Sequence, residues 1–215
     1  MARNPNGSLP NRNTLYLGRS GAGKSQALKQ NADIPRQGAR VVLYDPNEDH
    51  RAHRYSTKAA FGHAVLRALR SGKGFRIAYT GGSGEADHEW FCQFVFSILD
   101  GKHLTYVIDE ELGGSSQRSG SAAFHHGVLL NQGRKFGMRY HGVIQFAQEV
   151  PKTVYRNCEV IYVGRLDLAA AKLLSQEIGV PADQIASQQK LQFWVNDSGE
   201  GFEARQIQLK YKKAA

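Results

Sequence analysis

Residues Gly18 to Ser25 read Gly-Arg-Ser-Gly-Ala-Gly-Lys-Ser and fit the pattern G-x-x-x-x-G-K-[ST]. This motif constrains the fold of the chain more than any other feature. It needs an apolar strand before it and a helix start after it. Thr14-Leu-Tyr-Leu17 and Ser25-Gln-Ala-Leu-Lys-Gln30 supply both. Gly18, Arg19, Ser20, Gly21, Ala22, Gly23, Lys24 and Ser25 are therefore expected to cradle phosphate. The glycines let successive backbone N–H groups turn inward, and the following helix adds its dipole. Lys24 is expected to reach the β- and γ-phosphates and the Ser25 hydroxyl to ligate Mg²⁺, which makes ATP and Mg²⁺ the expected cofactors.

Apolar runs Ala39–Tyr44, Phe75–Thr80, Leu104–Ile108, Tyr140–Phe146 and Glu159–Val163 read as strands. Between them, periodic stripes predict helices over Thr57–Ser71, Asp87–Leu99 (capped by Asp87), Ala122–Gln132, Val150–Arg156 and Leu168–Ile178. Two last runs, Leu191–Val195 and Phe202–Leu209, flank Asn196-Asp-Ser-Gly-Glu-Gly201 as a hairpin. The alternation implies an α/β fold of the RecA-like P-loop type, a mainly parallel central sheet flanked by helices with a C-terminal β-hairpin. One domain over residues 13–209 is expected, with a flexible arm at 1–12 and a basic tail at 210–215.

Hydrolysis needs an acidic group for the metal and a group that positions or deprotonates water. Leu104–Glu110 supplies a Walker B-like strand end: Asp109 is expected to hold Mg²⁺ and Glu110 to act on the attacking water. Glu111 competes for the second role, but adjacent residues of an extended chain face opposite sides. The glutamate directly after the aspartate implies an extra strand between phosphate loop and Walker B strand. Tyr140–Gln145 fits that place, with Gln145 as a polar sensor at its tip. Asp45, before Pro46, fits a turn-former as well as a site residue. His125 and His126 lack a third ligand nearby in sequence, which argues against a metal site.

A net charge of +9 is unusual for a nucleotide-binding enzyme and points to a polyanionic partner. Cys92 and Cys158, without CxxC spacing, read as buried free thiols in a reducing compartment. No apolar run is long enough to span a bilayer and the N-terminus has no signal-peptide core, so a cytoplasmic location is expected.

Taken in order, Gly18–Ser25, Tyr44-Asp-Pro-Asn-Glu-Asp49, Leu104–Glu110, Gly133-Arg-Lys-Phe-Gly137 and Gln145 with Glu149-Val-Pro-Lys-Thr-Val154 resemble the FtsK–HerA superfamily of DNA-pumping ATPases. The resemblance is to the small genome-packaging ATPases of membrane-containing, double-jelly-roll viruses. It implies ATP hydrolysis coupled to translocation of double-stranded DNA through a homo-oligomeric ring, usually a hexamer. Capsid or portal-vertex proteins are then partners, and the location is the host cytoplasm or a packaging vertex. By position Arg134 becomes the arginine-finger candidate, with Arg139, Arg156 and Arg165 as rivals. The Gly113–Ser121 loop with Arg118 becomes the DNA-channel candidate. A cellular or plasmid translocase, a filamentous-phage-type assembly ATPase and a small-molecule kinase stand as alternatives.

Overall fold

A computed structural model describes residues 4–110, 121–145, 150–199, 201 and 203–212. In chain order the elements begin β1 (Thr14–Leu17), α1 (Lys24–Gln30), β2 (Arg40–Tyr44), β3 (His53–Tyr55), α2 (Lys58–Ser71), β4 (Phe75–Tyr79), α3 (Glu85–Ile98) and β5 (Thr105–Asp109). They continue with α4 (Phe124–Gly133), a 3₁₀ turn (Arg134–Phe136), β6 (Met138–Ile144), α5 (Lys152–Asn157), β7 (Val160–Val163), α6 (Leu168–Ile178), α7 (Ala182–Ala186), β8 (Gln192–Asp197) and β9 (Arg205–Gln208).

The strands form one sheet in the order β3-β4-β2-β5-β6-β1-β7-β8-β9. Its pairs are parallel from β3 through β7, and β7–β8 and β8–β9 are antiparallel. The α/β fold with a C-terminal hairpin is thus the one the sequence implies. Strand β6 lies between β1 and β5, with Leu17 opposite Ile144 and Asp109 opposite Gly142. That order brings the carboxyl ends of β1, β6 and β5 side by side.

The two faces of the sheet are covered unequally. On one, Leu15, Leu17, Val42, Tyr44, Val107, Tyr140 and Ile161 meet residues of α2, α3, α4, α5 and α6 in the larger core. Phe61 of α2 is its aromatic hub, fully buried against Tyr79, Trp90, Phe91 and Phe94. On the other, Tyr16, Val41, Leu43, Ile108 and Phe193 pack with Ala27 and Leu28 of α1. Strand alternation divides each strand between the two cores.

Three details differ from the sequence reading. Edge strand β3 is only three residues long, too short to leave a periodic signal. Helix α3 starts after Gly84, and Asp87 bonds the Tyr79 hydroxyl and Lys58 instead of capping. Residues 4–12, expected as a loose arm, are bonded to the domain. Asn4 N–H donates to the Asp100 carbonyl, Asn6 N–H to the Lys135 carbonyl, and Arg12 pairs with Asp33 and Asp197. Truncating the aromatic hub should leave a large cavity: Phe61→Ala is expected to cost about 3–5 kcal/mol of stability, read as a lowered urea midpoint.

Candidate functional site

The phosphate loop leaves β1 at Gly18, and its turns are ones an L-residue resists. Gly21 has φ 76° and Gly23 has φ 106°. At Gly23 an added Cβ would also stand 2.6 Å from Leu191 Cδ2. The Lys24 ammonium curls back onto the loop and donates to the carbonyls of Gly18 at 2.7 Å and Arg19 at 3.4 Å. Burial lowers its pKa, while the charges of Glu110 and Asp49 act in the opposite direction.

Glu110 and Asp49 are the acidic residues that line the cleft beside this loop, and Glu110 is the one bonded to the loop. The Ser25 hydroxyl donates to its Oε1 at 3.3 Å, and His50 Nε2 lies 2.6 Å from its Oε2. Both side chains of the His50–Glu110 pair are nearly closed to solvent. His50 is held there by Asp45: the Asp45 carboxylate accepts the backbone N–H of Asp49 at 2.9 Å and of His50 at 3.0 Å. Asp45 therefore shapes the turn after β2 so that an imidazole meets Glu110. Sequence reasoning had singled out Asp45 but missed His50, which lies one residue beyond the Tyr44–Asp49 stretch.

Asp109 is not with them. The sequence reading gave it the metal, but β5 turns consecutive side chains to opposite faces. Asp109 points away from the phosphate loop into the larger core, 1% exposed. There its Oδ2 lies 2.7 Å from His88 Nε2 and accepts the Tyr140 hydroxyl at 2.6 Å. His126 Nε2 is 3.1 Å from that hydroxyl. The fold thus supplies companions for His126 that sequence spacing did not reveal: His88, Asp109 and His126 bring possible metal-ligating atoms within 4.8 Å of one another. Hydrogen bonds join Asp109 Oδ2, His88, the Tyr140 hydroxyl and His126 Nε2, while Asp109 Oδ1 and His126 Nδ1 are buried with no hydrogen-bond partner among the described residues. Burial is the largest single influence on the His88 imidazole and depresses it, but the charge and hydrogen bond of Asp109 together with Cys92 hold His88 well above its ordinary value. Burial likewise opposes ionisation of Asp109, but His88, with His126 and the Tyr140 hydroxyl, holds its carboxyl below the ordinary value. His126, buried beside that positive charge, is pushed down to about 3 and stays neutral. The group is a buried ion pair with a Tyr–His extension.

Gln145 follows β6 at the carboxyl edge and is exposed. It lines a cleft of about 350 Å³ with Lys24 and Ser25 of the loop, Asp49, Glu110, Leu191 and Tyr211, a size suited to a small-molecule site. Hard oxygen donors meet there: Ser25 Oγ and the Glu110 carboxylate suit Mg²⁺, which uses one or two carboxylates beside substrate phosphates. Arg134 lies at the opposite, amino-terminal end of the parallel strands, and its Nη1 donates to the carbonyls of Gly7 and Leu9. It does not join the cleft of its own chain. Arg118 and Glu111 lie outside the described residues.

No protein-family model matches the sequence. The chain is 32% identical over 210 residues to protein P9 of Pseudoalteromonas phage PM2, covering 94% of each. Among solved structures it is similar to the genome-packaging NTPase B204 of Sulfolobus turreted icosahedral virus 2 in complex with AMPPCP. That match has a TM-score of 0.73 at 13% identity and covers 94% of this chain and all of that one. It is also similar to the bacterial conjugative coupling protein TrwBdeltaN70, with a TM-score of 0.67 at 14% identity over 97% of this chain and 87% of that one. At these identities the structural likenesses show a shared fold. Because Asp109 balances a buried charge, Asp109→Ala should strand His88 and destabilise the fold by about 3–5 kcal/mol in urea unfolding. A metal ligand on the loop side would show a changed Mg²⁺ requirement at near-normal stability instead.

Proposed function

The chain belongs to the family of protein P9 of Pseudoalteromonas phage PM2, and from that premise we propose that it is an ATP hydrolase that drives double-stranded DNA through a ring of its own copies into a viral capsid. The observation that carries this reading is the convergence of Lys24, Ser25, Glu110 and Gln145 on one cleft, with Gln145 delivered by a strand between β1 and β5. A phosphate loop alone serves many enzymes. An inserted strand with a polar tip beside it supports hydrolysis by water rather than transfer to a small molecule.

In this reading the loop N–H groups and Lys24 bind the β- and γ-phosphates. Lys24 leaves the Gly18 and Arg19 carbonyls to do so, exchanging neutral acceptors for charged ones. Ser25 and Glu110 hold Mg²⁺, which when bound neutralises charge on the phosphate oxygens. Glu110 replaces Asp109 in that role because only Glu110 faces Ser25. His50 fixes the orientation of the Glu110 carboxylate, and Gln145 orients the attacking water.

DNA as the cargo is supported by the net charge of +9 and by the likeness to a genome-packaging NTPase. A ring, most simply a hexamer, would let Arg134 act on a neighbour's site. Association with capsid or portal-vertex proteins, in the host cytoplasm or at a packaging vertex, completes the proposal. No helix among the described residues is long and apolar enough to cross a membrane.

ATP turnover measured with and without double-stranded DNA over a salt series tests the reading. DNA should raise the rate, and the effect should fall steeply with salt as phosphate contacts are lost. Lys24→Ala should lower turnover about 100-fold or more; near-normal hydrolysis by that variant would refute the site. Glu110→Gln is expected to raise the Mg²⁺ concentration for half-maximal activity about tenfold along with a lower rate. Lost turnover at an unchanged Mg²⁺ requirement would return Glu110 to the role of general base.

A further inference from the structure

We propose that Tyr211 is a stacking platform for the nucleotide base, forming a base-binding subsite from the segment that follows β9. The inference rests on the nucleotide reading above and names the other end of the same ligand. The C-terminal hairpin already touches the phosphate loop. Leu191 adopts φ 66°, a left-handed conformation costly for a branched side chain, and donates its N–H to the Ala22 carbonyl at 2.9 Å. Its side chain packs against Gly23, and its carbonyl accepts the Leu209 N–H at 2.8 Å. Both strands of the hairpin are thereby registered on the loop.

Beyond Leu209 the chain is laced onto α1. The Gln26 side-chain amide pairs with the Lys212 peptide in both directions, Nε2 to the carbonyl at 3.0 Å and the Lys212 N–H to Oε1 at 3.0 Å. Gln30 Nε2 donates to the Lys210 carbonyl at 2.9 Å. The residues on either side of Tyr211 are therefore anchored by side chains that leave the loop's own helix. Tyr211 itself remains 65% exposed, on the rim of the cleft that begins at Lys24 and Ser25. An aromatic ring with its flanking backbone tied down and its face left open has lost conformational freedom without gaining burial. That suits a planar ligand, because the ordering cost is met before binding. Any base offers a π-face to such a ring. Lys29 and Lys190 share the same mouth and add positive charge for the phosphates.

The test is the affinity of the full chain for Mg·ATP and for magnesium tripolyphosphate, which has the phosphates and no base, measured calorimetrically. Tyr211→Ala should weaken Mg·ATP about tenfold and leave tripolyphosphate unchanged, and Tyr211→Phe should bind both like the wild type. An unchanged ATP affinity in Tyr211→Ala would overturn the proposal. Equal weakening of both ligands would overturn it too, because the residue would then act through the loop. A wild-type chain that binds neither ligand would instead overturn the nucleotide reading on which the subsite stands.

Discussion

The parallel pairing of β1, β6 and β5 is the constraint on which the rest of the molecule depends. Parallel strands all end at one edge, so groups placed just past their carboxyl ends meet there without any contact in sequence. Gly18–Ser25, Gln145 and Glu110 come together for that reason alone. The same pairing sends the amino-terminal strand ends, and Arg134 with them, to the far side of the domain.

Strand geometry also decides what two neighbouring carboxylates do. Asp109 and Glu110 share a backbone and little else. One is in a fully closed interior with a compensating imidazolium, the other beside a serine hydroxyl and His50 on the rim of a cleft. A carboxylate as deeply buried as Asp109 survives only with a partner of opposite charge and its hydrogen bonds made. His88 supplies the charge and, with Tyr140, the hydrogen bonds to Oδ2, which ties α3 and β6 to the end of β5, whereas Oδ1 is buried without a partner among the described residues.

The front of the sheet uses a lighter device. Among the described residues only α1 supplies helical cover for the second core, and the hairpin and tail do part of the work that a helical layer does elsewhere. Leu191 braces the loop, and Gln26 and Gln30 hold the tail along α1. The loop is thus braced by Leu191, and the helix that leaves it by the tail.

Local sequence carried much of this. The phosphate loop is written in contiguous residues, and so are the strong apolar runs, because their periods follow from backbone geometry alone. The strand–helix alternation then gave the fold class, and Gln145 could be placed at a strand tip from the same pattern. The three-residue β3, the docking of residues 4–12 and the meeting of His50 with Glu110 were not legible, since each depends on contacts between distant stretches. Asp109 was misplaced for a related reason. A motif names the order of its residues, whereas the face each side chain takes is set by where the strand ends and what lies on either side. Sequence by itself determined that a phosphate loop and an acidic strand end would share an α/β sheet. Only tertiary structure decided which carboxylate would face the loop, because alternation along β5 allows just one of two neighbours to do so.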